Sequence, residues 1–182
     1  MNLSKAVFFL CAIAGLSACN STVTNMTVDT DTISADDTVS GYLLIGVETN
    51  ISLKDIEIDG PDDIALSHDD LKSGTNFILV PMPAGNYEVR KVTFNNRYRA
   101  LLRGETDWSF KIKPQTISYV GHLEISAMGF YSAYSKIELV NRSTEALDFM
   151  EQDFPAILSN RELYYGGPGN DTFFDFVKTL GE

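Results

Sequence analysis

The sequence predicts a mainly β protein, specifically an antiparallel β-sandwich of about seven to nine strands with two C-terminal helices. Two observations predict this class. Between residues 41 and 141, short segments that alternate apolar and polar residues recur at a spacing of about ten residues. After residue 141, the apolar residues fall at helical spacing instead.

A leader peptide is predicted over residues 1–18. Residues 6–16, "AVFFLCAIAGL", are apolar throughout and follow a short start that carries one cation, Lys5. Eleven helical residues at about 1.5 Å each cover about half of a bilayer core of about 30 Å, so this segment is too short for a transmembrane helix. Residues 16–19, "LSAC", resemble the lipobox of bacterial lipoproteins.

The lipobox resemblance implies that the chain is cleaved before Cys19 and that Cys19 carries a diacylglycerol and a further acyl chain, which anchor it in the membrane. Cys11 lies in the leader, so the mature chain keeps no thiol for a disulfide, a metal site or a nucleophile. Because residue 20 is Asn rather than the Asp that retains such lipoproteins at the inner membrane, the resemblance implies a periplasm-facing protein of the outer membrane. The alternative is a plain secretory peptide.

A lipidated, flexible tether is predicted over residues 19–40. Thr, Ser and Asp dominate this segment and large apolar residues are few. The alternative is a strand at a sheet edge, because Thr and Val favour strands. The folded domain is then predicted to begin at Gly41 and to form one unit over residues 41–182.

The strand predictions rest on apolar runs and alternation. The first, "GYLLIGVET", is almost continuously apolar, and Pro81 and Pro83 are expected to end the third. Asn95 and Asn96 tolerate left-handed turn geometry, so the segments on either side are predicted to form a hairpin. The predicted strands are 41–49, 51–60, 75–82, 85–94, 97–102, 107–114, 116–127 and 133–141.

A helical extension is predicted from about residue 143. Leu147, Met150 and Phe154 fall at helical spacing in "STEALDFMEQDF", and Ser143 can cap that helix. A second helix is predicted over residues 170–181, where four apolar residues fall on one face and Gly181 follows.

The charge balance excludes nucleic acid as a partner. The chain has 14 basic and 25 acidic residues, a net charge of −11. Loss of Lys5 with the leader leaves 13 against 25, or −12. Phosphate backbones need a basic surface. Apolar residues make up 44% of the chain, which is enough to build a core.

A Pro-x-Gly-x-Tyr pattern occurs in "VPMPAGNYEVRKV", at Pro83, Gly85 and Tyr87. This stretch resembles the turn-and-strand of transthyretin-like and carboxypeptidase-regulatory-like β-sandwich modules. The resemblance implies that Gly85 makes the turn, that Tyr87 enters the core, and that the module binds or docks rather than catalyses. Residues 112–125 carry a second, partial match that lacks the glycine.

A basic patch is predicted near the hairpin, because five basic residues and no acid occur between positions 90 and 103. Such a patch would attract anionic partners such as lipid headgroups, the phosphates of lipopolysaccharide or an acidic protein face. The alternative is a solvated hairpin face, or internal pairing with the acidic loop at 59–70. The patch consists of Arg90, Lys91, Arg97, Arg99 and Arg103.

Two further candidates are an aromatic pair and an acidic loop. Tyr164 and Tyr165 precede a glycine-rich turn, where exposed tyrosines could contact a sugar or peptide. Asp55, Glu57, Asp59 and Gly60 match the opening of a calcium loop, but the twelfth position of that motif is Leu66 rather than an acid. Asp59, Asp62 and Asp63 therefore remain a weak metal candidate, and a solvated acidic loop is favoured.

The chain carries no G-x-S-x-G, H-E-x-x-H or phosphate-loop motif and only two histidines, His68 and His122. No cofactor is therefore expected. The sequence favours a lipid-anchored envelope module that binds a protein or glycan partner without catalysis. The alternative is an envelope hydrolase or metal-dependent enzyme whose site is assembled from scattered histidines and acids.

Overall fold

The computed structural model describes residues 21–102, 108–128 and 134–181, which fold into two β-sheets and three α-helices. This confirms the mainly β class. The strands are β1 (Ser21–Val23), β2 (Ser40–Thr49), β3 (Asp55–Asp59), β4 (Ile64–Ser67), β5 (Gly74–Pro83), β6 (Gly85–Thr93), β7 (Arg99–Leu101), β8 (Ser109–Ile112), β9 (Thr116–Met128), β10 (Tyr134–Val140) and β11 (Glu162–Tyr165). The helices are α1 (Ser143–Asp153), α2 (Pro155–Asn160) and α3 (Phe173–Gly181), and a 3₁₀ turn spans His68–Asp70.

Each sheet has a simple strand order with one additional strand. The first sheet runs β1-β4-β3-β6-β7, and β8 also pairs with β6. The second sheet runs β10-β9-β2-β5, and β11 also pairs with β9.

The prediction of a purely antiparallel arrangement is wrong. The strand pairs β1–β4, β2–β9 and β11–β9 are parallel. Parallel neighbours need a long connection, and here the chain from β2 to β9 supplies one by building most of the first sheet on the way. Alternation along one strand reports which face is buried but not the direction of its neighbour, so the sequence pattern could not reveal this.

The two sheets enclose one apolar core, and the three helices cover the outer face of the second sheet. Strand β2 contributes to both layers: Leu43 and Ile45 lie between the sheets, whereas Tyr42 and Leu44 lie on the helix side. All four side chains are completely buried. The nearly continuous apolar run of this strand therefore reflects burial on both faces.

The C-terminal part differs from the predicted helical extension. Helices α1 and α3 lie where the apolar spacing places them, but α2 follows directly after α1. Phe154 separates the two helices, and Pro155 begins α2 because the first turn of a helix needs no amide donor from that residue. The chain then returns to the second sheet as β11 before α3.

The flexible tether predicted over residues 19–40 requires correction for residues 21–40, which we call the N-terminal segment. Strand β1 pairs with β4, and the side chain of Asn25 bonds to the backbone of β5 at Phe77 and Leu79. Ile33 is buried in the helix-side core. The Thr and Ser residues that suggested a solvated coil instead leave exposed side chains between a few anchoring positions.

Candidate functional site

A β-bulge in β6 brings the first two residues of the basic patch to one carboxylate. The register between β3 and β6 shifts between Glu57 and Ile58, so that Glu57 lies opposite Lys91 while Ile58 lies opposite Val89. The extra residue, Arg90, therefore lies on the same side as Lys91. Both cations contact Glu57, and the valines at 89 and 92 are both buried.

Arg90 and Lys91 are thus largely neutralised by β3. Arg90 also lies 2.9 Å from Asp59, and Lys91 lies 3.9 Å from Asp55. Burial works to raise the pKa of Glu57, but the hydrogen bonds and charges of Lys91 and Arg90 outweigh it and hold that pKa below its ordinary value. The internal pairing considered for the basic patch therefore occurs, although the acids of β3 rather than the loop after it supply most of the partners.

The remaining cations of the patch surround a polar groove at one end of the first sheet. The groove has a volume of about 400 Å³, a size common for small-ligand sites. It opens where β3 begins, where β6 ends and where the chain turns into β7. We call it the cationic groove; its lining consists of Lys54, Asp55, Lys91, Thr93, Asn95, Asn96, Arg97, Tyr98 and Arg99.

Hydrogen bonds hold the wall of the groove in shape. The Asn95 side-chain oxygen accepts bonds from the backbone N–H groups of Arg97 and Tyr98, at 2.9 and 3.1 Å, which closes a turn of the kind asparagine favours. Across the groove, the Lys54 ammonium donates to the side-chain oxygen of Asn96 at 3.2 Å. The predicted hairpin at Asn95 and Asn96 is therefore present, with β6 and β7 antiparallel.

The chemistry of the groove suits an anionic group. Lys54, Arg97 and Arg99 bring three positive charges to the groove, whereas the fourth cation, Lys91, is paired with Glu57 and Asp55. No acid among the described residues forms an ion pair with Arg99. Guanidinium groups present a planar fork of donors that matches a phosphate or a carboxylate. The groove can therefore hold such a group by charge and by hydrogen bonds.

The structure gathers only part of the predicted patch in the groove. Lys91, Arg97 and Arg99 line it, Arg90 does not, and Arg103 lies outside the described residues. Sequence reasoning missed Lys54, which lies thirty-seven positions before Lys91 in the chain (91 − 54) and reaches the groove through the pairing of β3 with β6. Only knowledge of the strand order could have revealed it.

Tyr164 and Tyr165 do not form an exposed aromatic pair. Tyr165 is buried in the helix-side core, and its hydroxyl donates to the carbonyl of Pro168 at 2.9 Å. Tyr164 is partly buried, with the ammonium of Lys113 3.2 Å from its ring centroid. Because β11 is a strand paired with β9, its successive side chains point to opposite faces of the sheet. The prediction that both tyrosines lie on one exposed surface is therefore wrong.

The aspartates of the acidic loop are spread rather than gathered. Asp59 pairs with Arg90, Asp63 accepts a hydrogen bond from the backbone of Gly60 at 3.2 Å, and Asp62 is exposed. Within the part of the chain that the structure describes, no group of three or more His, Cys, Asp or Glu side chains is arranged to hold a metal ion.

His122 occupies a buried position that the sequence did not single out as unusual. Val120 and Gly121 together oppose Ile45 of β2, and Gly121 adopts the left-handed φ of +117° that this bulge requires. His122 consequently faces Gly46, where a β-carbon would approach the imidazole to 2.3 Å.

The surroundings of His122 include a hydroxyl and a carboxylate. Its Nδ1 lies 3.1 Å from the hydroxyl of Tyr119, and its Nε2 lies 3.9 Å from the Glu145 carboxylate without a hydrogen-bond partner among the described residues. Arg142 links Glu145 to two further glutamates, Glu48 and Glu124.

His122 has no exposed surface, and burial lowers its pKa more than Glu145 raises it. The other histidine, His68, lies apart on the surface and contacts the carbonyl of Leu53 at 2.6 Å.

The predicted lipidation site, Cys19, lies outside the described residues. Among the helices that the structure describes, none is both long and apolar enough to cross a membrane. Comparisons of the chain with protein-family models, curated proteins and solved structures gave no significant match.

Proposed function

We propose that this protein is a lipid-anchored module of the bacterial cell envelope that binds an anionic group in the cationic groove. The observation that carries this proposal is the local reversal of charge. The chain has a net charge of −11, yet Lys54, Arg97 and Arg99 lie together in the groove beside Lys91, which is paired with Glu57 and Asp55. A cluster of like charges costs folding energy through mutual repulsion, so its presence in an acidic protein favours a binding role.

The envelope location is proposed from the lipobox resemblance at Cys19. In this proposal the protein faces the periplasm from the outer membrane, and the two sheets form a β-sandwich that acts as the binding scaffold. The partner is an envelope molecule that carries phosphate or carboxylate groups, such as a glycan or an acidic protein face. Nucleic acid is not proposed, because the protein as a whole would repel it.

We propose binding rather than catalysis because the chemically active groups and the accessible groove are separate. His122, with Tyr119 and Glu145 beside it, is the arrangement closest to an acid–base site, but its imidazole is fully buried. General acid–base catalysis requires hydrogen-bond contact with the substrate. An enzyme built around His122 would need α1 to move away, and it is the alternative hypothesis.

Phosphate titration of the soluble Cys19→Ser chain tests the groove, with binding followed by NMR chemical shifts. We compare this chain with the same chain carrying Arg97→Gln and Arg99→Gln. Loss of two guanidinium contacts should weaken binding at least about tenfold, since about 1.4 kcal/mol corresponds to that factor. The matched control carries Lys72→Gln and Lys136→Gln, which remove the same charge from exposed positions away from the groove.

Equal weakening in both double variants would mean that only the net charge matters and would overturn the groove as a site. The anchor is tested separately by the intact mass of the chain in membranes. A chain that begins at Cys19 and carries the mass of the acyl groups supports it, and an unmodified chain contradicts it.

A further inference from the structure

The first residues of the described chain and the cationic groove lie at diagonally opposite corners of the first sheet. Four strand steps separate β1 from β7, which at about 4.8 Å each span about 19 Å. Along the strands, Ser21 is level with Ile64 and Ile58, whereas Arg99 is level with Asp55, three residues further along β3. Those three residues add about 10 Å, so Ser21 and Arg99 are roughly 20 Å apart.

The chain leaves little slack between the predicted lipid anchor and this corner. Two peptide units connect Cys19 to Ser21, and they span at most about 7 Å. The amide of Ser21 donates to the carbonyl of Asp63 at 3.0 Å, so the chain is already fixed to the sheet at that point. The N-terminal segment, which as a free coil would have reached about 25 Å, is instead packed on the protein.

On the basis of the anchor and the groove proposed above, we infer that the groove takes its phosphate or carboxylate from a molecule in the aqueous compartment. The headgroups of the bilayer that holds Cys19 are not its ligand. With the β1 corner held at the bilayer, the groove lies at the far corner of the sheet. The groove lies about 20 Å from the anchor along the sheet. Where the sheet stands on its β1 corner, this distance exceeds two Debye lengths of about 8 Å at physiological ionic strength, so headgroup charge is screened at the groove.

The charges close to the lipid anchor support the same inference. Asp62 and Asp63 lie beside Ser21, so the corner that faces the bilayer is acidic and does not favour anionic headgroups. The cations of the groove are at the other end of β3. The protein therefore presents its binding site away from the surface that carries it.

Fluorescence quenching in vesicles tests this orientation. The lipidated chain has no thiol other than the acylated Cys19, so single labels can be placed with Asp62→Cys near the anchor and Leu101→Cys at an exposed position of β7 beside the groove. Each labelled protein is reconstituted in phosphatidylcholine vesicles with and without phosphatidylglycerol, and quenching by a headgroup-quencher lipid is measured. We expect several-fold stronger quenching of the label at position 62, and we expect phosphatidylglycerol to leave the label at position 101 unchanged.

A matched control inserts a flexible glycine-serine linker of about twenty residues between Asn20 and Ser21, which restores a reach of about 25 Å. In that variant the difference between the two labels should shrink. Equal quenching of both labels in the protein without the linker would overturn the inference. Failure of the protein to attach to vesicles would instead contradict the lipid anchor. Absence of phosphate binding by the soluble Cys19→Ser chain would contradict the groove as a binding site. The three failures are therefore distinguishable.

Discussion

His122 has its imidazole entirely inside the protein, with Nε2 3.9 Å from the carboxylate of Glu145 on α1. Phe77 packs edge-on against the ring with the centroids 4.8 Å apart, and Tyr119 lies beside Nδ1. Charged groups surround the other nitrogen at greater distance. Because Glu145 is half-exposed and shared with Arg142, its attraction for an imidazolium does not outweigh the cost of burying that charge.

The lowered pKa of His122 should appear as a dependence of stability on pH. Below its ordinary pKa of 6.5, the unfolded chain binds a proton that the folded protein does not, so the free energy of unfolding falls as the pH falls toward the folded pKa. The slope is at most about 1.4 kcal/mol per pH unit. We expect His122→Gln to flatten this slope between about pH 7 and pH 5, measured by urea unfolding.

The carboxylates with lowered pKa values affect stability in a separate, more acidic pH range. For Asp31, Glu57 and Asp171, stability is lost only as the pH falls below ordinary values of 3.8 to 4.5. The control is His68→Gln, which removes the other histidine. A slope that disappears in this control and persists in His122→Gln would contradict the assignment.

At the scale of elements, the N-terminal segment and α2 stabilise one another. The Asp29 carboxylate accepts hydrogen bonds from the backbone N–H groups of Ala156 and Ile157, at 2.6 and 2.9 Å, in the first turn of α2. Two residues later, Asp31 pairs with Arg161 at 2.6 Å, just after the helix ends. Both ends of a short helix are therefore held by side chains from a distant part of the chain.

Asp29→Ala should destabilise the protein through α2. Loss of a helix-capping carboxylate costs about 0.5–2 kcal/mol, because the first amides of the helix lose their acceptor. We expect a decrease of this size in the free energy of unfolding, together with faster amide exchange at Ala156 and Ile157. The control, Asp36→Ala, removes an exposed acid of the same segment. Unchanged exchange at the two amides would contradict the capping role.

The sequence pattern predicts an element well where one of its faces is buried, and less well where a neighbouring element determines its end, its bulge or its docking. The alternation of apolar and polar residues located most of the strands. Pro81 did not end β5, which continues to Pro83, because β5 is an edge strand of the second sheet and can carry residues without an amide donor. The cations at 90, 97 and 99 were visible in the sequence, but the bulge that turns Arg90 toward Glu57 depends on the partner strand. The docking of residues 21–40 depends in the same way on α2 and β5.

At the scale of the whole molecule, two apolar cores share the strands β2, β5 and β9. Adjacent residues of β2 serve different cores, since Leu43 lies between the sheets and Leu44 lies under the helices. Because both cores rest on the same backbone, neither layer can be lost without disturbing the other. The described part of the chain should therefore unfold as one unit.

Leu43→Ala and Leu44→Ala test this coupling. Each truncation leaves a cavity at a fully buried site and should lower the free energy of unfolding by about 2–5 kcal/mol. We expect one cooperative urea transition in both variants, with coincident curves from far-UV circular dichroism and from Trp108 fluorescence. A separate early transition in Leu44→Ala, seen by circular dichroism alone, would show instead that the helices unfold independently of the sheets.

Strand β1 is three residues long and pairs along β4, which would otherwise be the border of the first sheet. An uncovered border strand offers a row of unpaired amides and carbonyls to any other chain, and a very short outer strand limits that template. The residues just after the predicted anchor thus also protect the sheet from edge-to-edge aggregation. For a protein crowded with its own copies on a membrane surface, this protection would matter more than it does in dilute solution.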